Sequence, residues 1–219
     1  MMMRKLVFSM MLVVVGLSTA SAADIFNNIL DTQDYIVPMN SNGAGVWQYN
    51  AEAFTTPVST YPLMSTTLVL AASSVGSSTG TFTIELWSDS ASAPGSKLAD
   101  ISTGNSISGL GLTSTPTNIK FDMASPYALA NSTSYWIVVN TSGLTGGKQL
   151  QVVGTNSATG VGVTANNNMQ QGGAPPFTAT FGNPSHMLMV VVPEPSTYAL
   201  GFTAMSVMAL VARRRKTAA

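Results

Sequence analysis

Between residues 23 and 192, apolar and polar side chains alternate in short runs broken by Gly, Ser, Asn and Pro. Phe82, Ile84 and Leu86 alternate with Thr81, Thr83 and Glu85, and Ile119, Phe121 and Met123 alternate with Lys120 and Asp122. A period of two sends successive side chains to opposite faces of a strand, so each run predicts a strand with one face toward a core. Tyr135, Ile137 and Val139 share one face of a further run, and Trp136 and Val138 share the other. That strand is apolar on both sides, so at least one of its aromatic rings must be buried. Residues 46–54, 66–72, 149–153, 177–181 and 187–192 complete the predicted set. Residues 75–80, 105–116 and 156–176 read as loops, the last either a mobile surface loop or one containing a weak strand around 161–164.

Nowhere in this body does an apolar stripe of period 3.6 run long enough for a substantial helix. Short, regularly spaced strands with polar turns predict an all-β fold, an antiparallel β-sandwich of jelly-roll type. About 170 residues bury enough surface to be stable without staples. That matters because the chain of 219 residues has no cysteine. Disulfides, thiol catalysis and Cys-ligated zinc are therefore excluded.

The neutral overall charge averages unlike segments. Six of nine basic residues are terminal, and residues 23–192 keep three lysines against eight carboxylates, a net −5. Nucleic acid is a poor partner for such a surface, because phosphate neutralisation dominates that affinity. The ends read as addresses. Arg4 and Lys5 precede an apolar stretch at 6–17, and Ala20 and Ala22 supply the small −3 and −1 residues of a signal-peptidase site. Residues 1–22 are thus predicted as a signal helix that is removed after Ala22. At the other end, Val192, Pro193, Glu194 and Pro195 form a stiff extended segment. Residues 198–212 carry no charge, and as a helix they span about 22 Å, short for a transmembrane element. Arg213, Arg214, Arg215 and Lys216 then hold the tail on the cytoplasmic side as a stop-transfer cluster. The expected divisions are 1–22 signal peptide, 23–192 β-sandwich and 193–219 sorting tail.

The run VPEPSTYALG, the short apolar helix and the RRRK end together closely resemble the PEP-CTERM sorting signal. The resemblance covers about the last 25 residues. It implies an exosortase as processing partner, cleavage near Pro193 to Pro195, transient inner-membrane anchoring, and delivery to the surface of an exopolysaccharide-producing bacterium. A second resemblance lies in the body. Phe54-Thr55-Thr56, Tyr61-Pro62-Leu63, Leu68-Val69-Leu70, Pro94-Gly95, Leu98-Ala99, Leu129 and Ser134 to Val139 follow one another as in choice-of-anchor surface domains of the R type. It covers roughly residues 45–155 and implies a fold and a destination, with no catalytic residues.

Searches for chemistry return little. Gly76-Ser77-Ser78-Thr79-Gly80 fits G-x-S-x-G, but a strand rather than a helix is predicted after it, and the chain has one histidine, His186. Gly160 to Ala165 mimics a dinucleotide loop with no helix to follow, and Gly147-Lys148 is followed by Gln149 rather than Ser or Thr. His186 has no second His, no Cys and no carboxylate near it in sequence, so no metal site and no cofactor are expected. It reads as the start of the final strand. Asp89 reads as a turn cap, and Asp31 and Asp34 with Asn27 and Asn28 are a thin calcium candidate. Trp47, Tyr49, Trp87, Tyr135 and Trp136 leave two readings open, core packing or stacking on sugar rings. Trp87 shares its parity with Thr81, Thr83 and Glu85 and is expected to face outward, which makes Trp87 and Trp47 the candidates for sugar contact. The sequence thus predicts an exported, noncatalytic protein of the cell surface or exopolysaccharide matrix, or alternatively a carbohydrate-binding module using exposed aromatics.

Overall fold

The computed structural model describes residues 24–39, 48–58, 62–73, 77–146, 149–157, 168–171, 177, 179–180, 186–187 and 189–193. The signal segment, Trp47, the 161–164 strand and everything from Glu194 onward lie outside the described residues. Residues Asp24–Pro193 form one compact unit.

Among the described residues the chain is all-β and every strand pair is antiparallel. Three short N-terminal strands, β1 (Phe26–Asn27), β2 (Tyr35–Met39) and β3 (Tyr49–Thr55), precede β4 (Pro62–Ala72). Then come β5 (Ser78–Gly80), β6 (Phe82–Asp89), β7 (Pro94–Asn105), β8 (Thr117–Ala128), β9 (Ser134–Asn140), β10 (Leu144–Gly146) and β11 (Leu150–Thr155). The last four are β12 (Asn168–Gln171), β13 (Ala179–Thr180), β14 (His186–Met187) and β15 (Met189–Pro193). One sheet runs β13-β12-β3-β9-β6-β7. The other centres on β4, with β8 on one side and β15 and β11 on the opposite side, backed by β1 and β2. Except for the β6–β7 hairpin, nearly every long connection steps from one sheet to the other.

The alternation seen in sequence is what closes this arrangement. Phe82, Ile84, Leu86, Tyr135, Ile137, Val139 and Phe54 face one way from the first sheet. They meet Leu68, Leu70, Leu150, Val152, Met189 and Val191 of the second in a single core cluster. Leu63 belongs to the same cluster although its parity differs from Leu68 and Leu70. A bulge between Leu63 and Ser65 absorbs the difference, since one extra residue flips a strand's faces. The long edge strands are guarded. β7 carries several register shifts and Lys97, while β8 carries Lys120 and Pro126. Charge, proline and bulges discourage edge-to-edge pairing with other chains.

The periodicity missed several short strands, among them β12 inside the predicted 156–176 loop, and one long strand, β7, whose register shifts against β6 break the alternation. β1 and β2 have too few residues to show a period, and β10 and β5 pair only with each other. β14 and β15 are wedged into the second sheet. β15 lies between β4 and β1, and β14 joins the end of β11. The first and last strands of the unit are therefore neighbours, Phe26 opposite Val191.

Gly154 in β11 shows how tightly this sheet is covered. The Tyr35 ring lies across it from β2, so that a Cβ at this position would land within the ring. Gly154→Ala should cost about 1–3 kcal/mol in urea unfolding, and much less in a Tyr35→Ala background, where the obstructing ring is gone. Equal losses in both backgrounds would mean that the ring is not the constraint.

Candidate functional site

Strand β6 turns Thr83, Glu85 and Trp87 away from the interlayer core, as their parity requires, but that face is not open. Trp87 is 7% exposed and joins Tyr49, Ala51, Ala53, Trp136, Val138 and Phe177 in a second apolar cluster. Phe177 stands edge-on to Trp87 at 5.7 Å and 84°, and to Tyr49 at 5.8 Å and 76°. The expectation that Trp87 faces solvent is corrected. Alternation tells which face a side chain occupies, while whether that face is covered depends on a residue 90 positions away.

The polar members of this face are bound as closely as the aromatic ones. Glu85, with 3% of its side chain exposed, accepts from Trp87 Nε1 at 2.8 Å through Oε2. Its Oε1 accepts from Thr83 Oγ1 at 2.8 Å, Asn140 Nδ2 at 3.0 Å and Lys97 Nζ at 3.3 Å. Four donors match the capacity of one carboxylate, so Glu85 has little left for a ligand. Lys97 also pairs with Asp100 at 2.6 Å. Its partial burial opposes the charge, but Asp100 and Glu85 outweigh that and hold its pKa above the ordinary lysine value. Their attraction is intact below that range and is lost as pH rises through it.

His186 begins β14, a two-residue strand ahead of β15 rather than the final strand itself, and it does have a carboxylate partner. Glu52, 134 residues earlier and in the opposite sheet, places Oε1 2.7 Å from His186 Nδ1, and both side chains are fully buried. Glu52 Oε2 also accepts from the Met187 amide at 2.9 Å. This pair ties the layers together and is sealed from any substrate. Asp34 accepts from the Asn156 amide and Thr155 Oγ1, and Asn28 bonds Met187 and Met189 across the sheet, so these groups fasten strands. Among the described residues no three of His, Asp and Glu converge as a metal site would need. The Ser78 to Gly80 part of the Gly-Ser loop is strand β5 rather than loop, and it leads into β6.

An open concavity among the described residues lies elsewhere. At one end of the sandwich the β6–β7 turn and the β8–β9 loop meet at a cleft of about 520 Å³, lined by Asp89, Leu98, Tyr127, Ser132, Ser134 and Tyr135 among others. Asp89 caps its turn as expected, accepting from the Ser92 amide at 3.3 Å, and also accepts from the indole N–H of buried Trp136 at 2.8 Å. Ala91 (φ 53), Ser92 (φ 65) and Ser132 (φ 48) are left-handed, and all belong to these two loops. The second loop is held rigidly. Thr56 Oγ1 donates to the Ala130 carbonyl at 2.6 Å and accepts from the Thr133 amide at 2.9 Å, while the Ala130 amide donates to Tyr135 OH at 2.8 Å. No single periodicity marks these residues as a group, since they come from four strands and two turns. Asp89, by its place before Pro94-Gly95, and Tyr135, by its periodic run, carried signals, but neither pointed to a cleft.

No family model and no curated protein matches the sequence. Among solved structures the chain is similar to a clostridial cysteine protease, Cwp84, after propeptide cleavage. The TM-score is 0.50 at 11% identity, over 76% of this chain and 39% of that one. It is also similar, at TM-score 0.43 and 11% identity over 67% of this chain and 32% of that one, to the cysteine protease and lectin-like domains of Cwp84, a surface layer associated protein of Clostridium difficile. The chain thus spans well under half of either protein. At this identity the likeness concerns fold alone, and no thiol carries over, because the chain has no cysteine.

Since Trp87 is interior, Trp87→Ala should lower stability by ~3–5 kcal/mol, about as much as Phe82→Ala in the main core. Thermal and urea unfolding of the two variants check this. A Trp87→Ala protein as stable as the parent would place that ring back on the surface.

Proposed function

We propose that the protein is exported, held briefly at the inner membrane by its tail, processed by an exosortase, and delivered as a noncatalytic component of the cell surface or exopolysaccharide matrix. The single observation that carries this reading is the coincidence of the unit's limits with the sequence signals. The compact unit runs from Asp24 to Pro193. The signal-peptidase site at Ala20 and Ala22 stands just before it, and Val192-Pro193-Glu194-Pro195 straddles its end. A cut within or after Pro-Glu-Pro leaves every strand of the domain in place, whereas a cut a few residues earlier removes β15 from between two neighbours. The sandwich, in this proposal, is of jelly-roll type, in keeping with connections that repeatedly cross between layers. A carbohydrate-binding role through Trp87 is not favoured, because that ring is covered by Phe177.

The test is the intact mass of the protein recovered from the outer fraction. It should begin at Ala23 and lack residues 198–219. Pro195→Ala should leave export intact but strand the unprocessed chain in the inner membrane. Surface-located protein that retains Arg213 to Lys216, or normal release of the Pro195→Ala variant, would overturn the processing scheme.

A further inference from the structure

The cleft at the loop end sets an apolar wall against a polar one. Its apolar wall is Tyr127, half-buried at the end of edge strand β8, and Leu98, 36% exposed on edge strand β7. Its polar wall is the Asp89 carboxylate with the hydroxyl-bearing Ser132 and Ser134. Each Asp89 oxygen accepts one bond from the protein, Oδ1 from Trp136 and Oδ2 from the Ser92 amide, so lone pairs remain on both. No lysine or arginine lines the cleft.

The geometry points to a binding site for a neutral saccharide in this cleft, between β7, β8 and the two left-handed turns. A sugar ring has an apolar C–H face and a hydroxylated edge, which match the Tyr127–Leu98 wall and the Asp89–serine wall respectively. A carboxylate without a neighbouring cation repels phosphorylated or uronic acid ligands, and the net −5 of residues 23–192 repels polyanions at longer range. A wholly apolar ligand would strip water from the spare Asp89 lone pairs without replacing it by a donor. Preorganisation strengthens the case. The indole of Trp136 is 1% exposed and cannot swing away, so Asp89 stays oriented with or without ligand. The Thr56 bonds fix the backbone that carries Ser132 and Ser134. Side chains already held in place lose little entropy on binding. The cleft does not use the Trp87 ring, although Trp136, which orients Asp89, packs in the same cluster, and the proposal does not depend on how the tail is processed.

The experiment is an array of neutral oligosaccharides (β-glucans, mannans, galactans and xylans) with alginate and polygalacturonate as anionic comparators, probed with the full chain in detergent. At least one neutral glycan should be retained, and neither anionic polymer. Asp89→Asn, which keeps an acceptor for Trp136, and Leu98→Trp, which fills the cleft from an exposed position, should each weaken that binding at least tenfold. The melting temperature of both should stay within a few degrees of the parent. Lys97→Ala, on the other face of β7, should bind as the parent does. Retention of no neutral glycan, retention of the anionic polymers alone, or neutral binding that survives Leu98→Trp unchanged would each overturn the proposal.

Discussion

The seven-stranded sheet depends on β15, the last strand among the described residues. β15 supplies the neighbour that β1 needs, separates β1 from β4, and carries Met189 and Val191 into the core. The fastening is long in sequence. Asn28 Nδ2 donates to the Met187 carbonyl at 3.1 Å and its Oδ1 accepts from the Met189 amide at 2.8 Å, across about 160 residues. Glu52 reaches from the facing sheet to the Met187 amide and to His186. Contacts of this separation form late, because loop closure must precede them. For a chain read as exported, this fits well. In the proposed export scheme, the body would not close until β15 had followed it across the membrane, and the segment to arrive next would be the proposed sorting motif.

Two buried carboxylates show how the domain tolerates polar groups in a small, weakly charged interior. Glu85 sits on the outer face of the first sheet and is saturated by Trp87, Thr83, Asn140 and Lys97. Glu52 sits between the sheets and is held by His186 and a backbone amide. Burying an ionisable group is costly unless hydrogen bonds replace its water, and in both places they do. The contrast with Asp89 follows from the same accounting. Its donors leave capacity unused, and it stands at an open cleft rather than under a cover.

How much of this was legible in the sequence depends on whether the information was local. The faces of β6 and β9 followed from alternation, and Phe82, Ile84, Leu86, Tyr135, Ile137 and Val139 lie where the period sends them. The turn-capping role of Asp89 was legible from its neighbours. The covering of Trp87 by Phe177 was not, since a strand predicted at 177–181 does not say which face of another sheet its first residue covers. Nor was the Glu52–His186 pair, whose members are polar residues in unrelated runs. The cleft was invisible for a similar reason, because its walls come from two sheet edges and two turns that only the topology brings together.

The claim on which the rest turns is that β15 is an integral strand of the domain. Hydrogen–deuterium exchange of the full chain tests it directly. The amides of residues 189–192 should exchange as slowly as those of Leu68 and Val152 in the strands around them, through global unfolding only. Exchange of residues 189–192 on the timescale of a frayed terminus, with β4 and β11 still protected, would show that the domain is complete without its last strand and would contradict this account.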